Sequence, residues 1–241
     1  MSDEYAHFGL DAKARRGAVA VPDVGALTDA WDAAHLEKFE TLVQLQRPAS
    51  QPWAPVTDYS FEARKAIEGP HAQLIKDVFQ PTTRVFDAGC GPGHLVRMLR
   101  DLGVKAYGGD INPPSEWRSS DDRWFGRSDV TAYHPGQEPL ADVVICREVL
   151  EHLTVRQIRH AVSHLCALSS KYVYVTTRFA QAPQHLLDVD TSDDLDPTHI
   201  TMLNQHLLRL LFVLEGFRRR ADLEERMDWQ HKGRVLVYER A

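Results

Sequence analysis

Apolar residues along this 241-residue chain recur with a helical period in some stretches and as short strand-like runs in others. Residues 1–25 mix charge with Gly, Ala and Pro and hold no steady period. Near-helical spacing begins at Leu27, Trp31, Ala34, Phe39, Leu42 and Val43, with Thr28 or Asp29 as cap and Pro48 as stop. Arg47 to Pro55, with three prolines and Trp53, reads as a linker. A second helical stretch, Phe61 to Phe79, is expected to be interrupted at Gly69-Pro70. Beyond it short apolar runs alternate with helical segments, as in α/β chains. Strands are expected at Arg84 to Asp87, Val104 to Gly109, Arg123 to Arg127, Asp142 to Cys146, Lys171 to Thr177, Phe217 to Glu225 and Arg234 to Glu239. Helices are expected at His94 to Leu102, Glu148 to Leu168 and Asn204 to Glu215, with Gly216 as the last stop. Only Arg226 to Gly233 separates the last two strands, so they are expected to pair as an antiparallel hairpin.

The first expected strand runs into chemistry. Val-Phe-Asp-Ala-Gly-Cys-Gly-Pro-Gly, residues 85 to 93, delivers Asp87 into a turn with glycines at 89, 91 and 93 and a helical segment behind it. Glycine lets backbone approach a ligand, and a helix start offers unpaired N–H groups to a carboxylate or phosphate. The dinucleotide fingerprint would place its third glycine at position 94, where this chain has His94, so a hydride-transfer enzyme is disfavoured.

The order acid, any residue, Gly-x-Gly-x-Gly resembles the first motif of class I S-adenosylmethionine-dependent methyltransferases, carried here by Asp87, Gly89, Cys90, Gly91 and Gly93. The resemblance implies that this turn meets the methionine end of the cofactor. It extends to Val104–Asp110, where a second strand ends in an acid, and the resemblance implies that Asp110 holds the ribose hydroxyls, followed by Ile111. Ser128-Asp129-Val130 is similar to the adenine-side segment, and Ala141 to Glu148 to the fourth strand and its exit at Arg147, a candidate cofactor or acceptor contact. The implied fold is α/β: a Rossmann-like seven-stranded sheet with an antiparallel C-terminal hairpin. The resemblance covers residues 70–241, and residues 1–69 are expected to form a helical N-terminal extension that caps the substrate, with Trp31, Trp53, Tyr59 and Phe61 as candidate pocket aromatics or packing residues.

After the fourth strand comes Glu148-Val-Leu-Glu151-His152. On a helix Glu148 would face Glu151 and His152 at i+3 and i+4, so two carboxylates and an imidazole would converge. Such a set suits a divalent cation, with His199 of Asp196-Pro-Thr-His199 as a fourth ligand. Without metal, His152 or His199 can serve as general base and Glu148 as a further catalytic carboxylate. Acids at a helix start and a hydrogen-bonded interior histidine explain the same residues structurally. The stretch is similar to two branches of the superfamily, the ubiquinone-biosynthesis-type O-methyltransferases and the small-RNA 3′-terminal 2′-O-methyltransferases; the second implies metal ligation by Glu148, Glu151, His152 and His199.

Charge separates these branches. Lys+Arg 28 against Asp+Glu 34 leave a net charge of -6, so no global positive field draws in nucleic acid, and a small-molecule methyl acceptor is favoured over RNA. Arg218-Arg219-Arg220 reads as a solvated basic stretch. Cys90, Cys146 and Cys166 lack paired metal-type spacing and are expected as reduced thiols. The acidic start and the lack of any ~20-residue apolar stretch point to a soluble, cytoplasmic protein without a membrane span. Against a methyltransferase stands a non-catalytic cofactor-binding subunit, which has no physical need for Asp87, the glycine turn, Asp110 and Asp129 together.

Overall fold

A computed structural model describes residues 61–111, 124–132, 139–180, 187–188, 199 and 201–241. The expected helix from Thr28, the linker, Trp31, Trp53 and Tyr59 lie outside the described residues. The chain forms two compact units, residues 54–149, 159–177 and 211–241 in one and 1–53, 150–158 and 178–210 in the other.

The first unit is built on a seven-stranded sheet. In chain order its strands are β1 (Val85–Ala88), β2 (Ala106–Asp110), β3 (Phe125–Arg127), β4 (Ala141–Arg147), β5 (Ser169–Thr176), β8 (Phe217–Arg219) and β9 (Val235–Arg240), numbered around a short pair, β6 (Leu187–Asp188) and β7 (Met202–Leu203), in the second unit. The spatial order is β3-β2-β1-β4-β5-β9-β8. Strands β1 to β5 run parallel, while β9 is antiparallel to both β5 and β8. All four residues of β1 are buried, as are the first six of β4, which is why they read as continuous apolar runs: a central parallel strand is covered on both faces. Strand order reverses between β1 and β4, opening the crevice at their carboxyl ends where α/β sheets bind ligands.

Helix α1 (Phe61–Phe79) runs unbroken through Gly69-Pro70, contrary to the expected interruption. A proline removes one backbone donor, but Ala72, Ile75 and Phe79 on the following turns are buried in the core and hold the helix together. The 69/70 boundary expected between extension and domain therefore falls inside a helix. Helix α2 (His94–Asp101) follows the glycine turn and buries Leu95, Val96, Met98 and Leu99. Helices α3 (Val155–Leu168) and α4 (Gln205–Leu214) follow, and Gly216 at φ 80 ends the turn after α4 as expected.

Two further expectations are corrected. Phe217 to Glu225 is not one strand: β8 stops at Arg219, and α5 (Ala221–Met227) follows, burying Leu223, Glu224 and Met227. The pairing of β8 with β9 holds, but with this helix between them. Glu148 to Leu168 is not one helix either; a 3₁₀ turn occupies Leu150–His152 and α3 begins at Val155. Arg218, Arg219 and Arg220 pair with Glu239, Glu224 and Asp222 at 2.6–2.7 Å, so the basic triplet is balanced by carboxylates around it.

At the start of the central strand β4, Asp142 ties down the turn before β1. Its carboxylate accepts from the Thr82, Thr83 and Arg84 backbone N–H groups and from both threonine hydroxyls. Burial alone would raise its pKa, but these bonds outweigh it and hold the group below the ordinary carboxylate range. Among the described residues no helix is long and apolar enough to cross a membrane.

Candidate active site

The corner at the end of β1 is held by backbone. Gly89 and Cys90 N–H groups both donate to the Gly109 carbonyl, at 2.8 and 3.1 Å, pinning the turn to β2. Gly91 N–H donates to Asp110 Oδ2 at 2.9 Å, which ties the acid at the end of β2 to the same turn. Glycines 89, 91 and 93 all have positive φ, at 76, 51 and 76°. They differ in what surrounds them. A Cβ on Gly93 would sit 2.3 Å from the Phe125 ring, whereas one on Gly91 meets nothing within 4 Å. Gly91 therefore presents its backbone to open space, as a turn that cradles a ligand must.

A cavity of about 150 Å³ lies against this corner, lined by Asp87, Gly89, Cys90, Pro92, His94 and Arg147 among others. Asp87 is 4% exposed, and its pKa is pushed up to about 7 by burial, against which Arg147 acts, with Glu68 and Asp110 adding to the rise. Burial, with the charges of Asp87 and Asp110, pushes the Cys90 thiol up, so it stays neutral. His94 opens α2 and its ring packs 5.6 Å from Phe61. Ile111 is 50% exposed, an apolar surface directly beyond Asp110.

Asp129 and Val130 are tied up differently. Asp129 Oδ1 accepts from both the N–H and the hydroxyl of Thr131, at 2.8 and 2.7 Å, and these bonds hold its pKa below the ordinary range. The Val130 carbonyl accepts from His164 Nδ1 at 3.0 Å. Asp129 thus closes a local turn as well as standing at the position the resemblance marks.

Arg147 and Glu148 form the exit of β4. Arg147 lies 3.5 Å from Glu68, which also pairs with Arg64. Glu148 takes φ 51°, uncommon for a residue with a Cβ, and its N–H donates to the Thr176 carbonyl at 2.8 Å. That conformation is incompatible with an α-helix, so the expected i+3 and i+4 convergence on Glu151 and His152 does not form. Its carboxylate lies 3.9 Å from Arg234 instead.

The remaining candidates meet in the second unit. Glu151, His152 and His199 each offer a ligand atom, all within 4.8 Å of one another. The two imidazole centroids are 4.7 Å apart, Glu151 is buried, and Thr201 N–H donates to the Glu151 carbonyl at 3.1 Å, joining the two segments. One carboxylate with two imidazoles is a donor set for a divalent transition metal.

Sequence reasoning missed Glu68 and His71. Both are buried on α1, His71 at 1% exposure, with Nε2 2.9 Å from the Tyr174 hydroxyl and its ring stacked on Trp229. The signal was present: two ionisable residues three apart share a helix face with Ala72 and Ile75.

The family described as "Methyltransferase domain" matches residues 58–220. Magnesium-protoporphyrin O-methyltransferase of Synechocystis sp. is 30% identical over 120 residues, 45% of this chain and 50% of that protein, so the chain spans about half the length of this curated relative. The crystal structure of magnesium protoporphyrin IX methyltransferase from Synechocystis with bound S-adenosylmethionine matches with a TM-score of 0.50 at 15% identity, over 93% of this chain and 100% of that one. That of Burkholderia thailandensis 1,6-didemethyltoxoflavin-N1-methyltransferase, with its namesake compound and S-adenosylhomocysteine, matches with a TM-score of 0.52 at 13% identity, over 93% and 92%. At these identities the solved structures share the fold.

Proposed function

The chain belongs to the methyltransferase-domain family, and from that premise we propose that it transfers a methyl group from S-adenosylmethionine to an oxygen of a small molecule. The observation that carries the reading is the turn at Gly89–Gly93, pinned to β2 by three backbone donors yet facing open space at Gly91. Such a cradle fits the methionine end of the cofactor, with Asp87 beneath it and Arg147 at its border. Asp110 holds the ribose hydroxyls, Ile111 and Val130 flank the adenine, and Asp129 accepts from the adenine amine with the oxygen that Thr131 leaves. Bound there, S-adenosylmethionine supplies a methyl carbon already activated on a sulfonium, so the protein's main task is alignment. The 30% identical relative is by name an O-methyltransferase, which supports oxygen as the acceptor atom.

The candidate bases for the acceptor's proton are Glu148, which lines the glycine-turn cavity, and His152 or His199 of the second unit. A second form of the same chemistry rests on the grouping of Glu151, His152 and His199. These three would hold a divalent cation, which would lower the hydroxyl's pKa and leave Glu148 outside the ligand set.

Calorimetric titration with S-adenosylhomocysteine, with Zn, Mn or Mg and after chelation, tests both forms. Saturable binding insensitive to chelator supports the metal-free base. A separate metal isotherm that disappears in Glu151→Gln supports the cation, and no binding of S-adenosylhomocysteine under any condition would overturn the reading.

A further inference from the structure

A second cavity, about 320 Å³, adjoins the glycine-turn cavity: Arg64, Glu68, Arg147 and Glu148 line both. Its own walls come from α1, the ends of β4 and β5, and the connection from α5 to β9. The volume lies at the small end of the range for ligand pockets, enough for a fused two-ring molecule.

Three features of its lining are unresolved by the protein itself. Arg147 and His71 line this cavity, and their Nε and Nδ1 nitrogens are buried without a hydrogen-bond partner among the described residues. A buried polar group left unpaired costs about 1–3 kcal/mol, so these two side chains are incompletely satisfied by the protein around them. The second feature is charge. Glu68 is shared by two guanidiniums, Arg64 and Arg147, and Lys232 and Arg234 add two more cations to the lining. With His71 held neutral, its pKa pushed down to about 3 by burial and by Arg147, the lining carries four cations against three carboxylates, Glu68, Glu148 and Asp228. The third feature is shape: His71 and Trp229 are stacked at 5.7 Å with an interplanar angle of 19°, giving the cavity a flat aromatic side.

We infer that this cavity receives the methyl acceptor and selects a planar molecule bearing a carboxylate, which Arg147 anchors while a different oxygen is methylated. The inference rests on the proposed function and adds the acceptor's chemical class. A guanidinium paired with a carboxylate oxygen balances the cationic surplus of the lining. The shared wall at Arg147 and Glu148 puts the occupant of one cavity next to the occupant of the other. Trp229 supplies stacking area, and Lys232 and Arg234 draw the acid in.

The test uses the full chain, S-adenosylhomocysteine, and the probe pair 6-hydroxy-2-naphthoate and 6-hydroxy-2-naphthamide, titrated calorimetrically. The acid is expected to bind at least tenfold more tightly than the amide, without displacing S-adenosylhomocysteine. Arg147→Gln is expected to remove the difference between the probes. Trp229→Leu, should the first variant fail to fold, is expected to weaken both probes at least fivefold while S-adenosylhomocysteine affinity changes less than twofold. Equal binding of acid and amide, no binding of either, or displacement of S-adenosylhomocysteine by the acid overturns the inference. Failure of S-adenosylhomocysteine itself to bind overturns instead the proposed function beneath it.

Discussion

The two adjoining cavities are made by different means. The glycine-turn cavity is shaped by backbone: three N–H donors from Gly89, Cys90 and Gly91 lock it to β2, and its glycines come from one nine-residue stretch. The other is shaped by side chains from α1, β4, β5 and the approach to β9, and its polar atoms are incompletely paired. A backbone-built site suits a ligand that is always the same, because backbone cannot be altered by substitution. A side-chain-built site can be retuned residue by residue, which suits an acceptor that differs from one enzyme to the next.

The largest test of this contrast is Gly93→Ala. The new methyl would sit 2.3 Å from the Phe125 ring at a φ of 76°, and the expected loss is about 3 kcal/mol or more, read from urea unfolding. A loss below about 1 kcal/mol would mean that the turn is not held by its packing.

Next come two buried groups with opposite pH signatures. Asp87 titrates near 7 in the folded protein against an ordinary 3.8, so the native state binds its proton more tightly and stability from this group falls as pH rises from about 4 to 7. His71 titrates near 3 against 6.5, so the unfolded state binds more protons and its contribution rises with pH from about 3 to 6.5. In the intact protein the two slopes largely cancel. Asp87→Asn is expected to leave stability climbing with pH over that window, and His71→Phe to leave it falling, each by a few kcal/mol. Superimposable unfolding profiles from the two variants would show that neither group is perturbed as argued.

Asp110→Ala is expected to weaken S-adenosylhomocysteine binding at least tenfold, about 1.4 kcal/mol, while the protein stays folded. Unchanged affinity would remove Asp110 from the ribose. The smallest stability effect belongs to Gly91→Ala, about 1–2 kcal/mol from backbone strain alone, since no atom lies within 4 Å of the added carbon. Its effect on cofactor affinity is expected to exceed its effect on stability; the reverse order would mean that no ligand approaches the turn.

Much of the cofactor corner was legible along the chain. The strands before Asp87, Asp110 and Arg147 were expected within two residues of where they lie, because a central parallel strand must be apolar on both faces and leaves an uninterrupted run. Helix α5 was misread because Phe217 to Glu225 mixes apolar and charged residues in a way that resembles strand alternation. Ala221, Leu223, Glu224, Glu225, Arg226 and Met227 are all good helix formers, and burial of Leu223 and Met227 on one face decided the outcome.

By itself, then, the sequence determined the alternation of strands and helices, the acid-glycine turn and the acids that follow it, since these depend on neighbours in the chain: apolar runs, positive φ, a helix start. Only the tertiary structure decided that Glu148 turns away from a helix, that Glu151 and His152 meet His199, and that Glu68 and His71 share a cavity wall with Trp229. Those arrangements depend on which distant side chains a buried surface brings together, and a one-dimensional pattern holds the period of a face but not the identity of what packs against it.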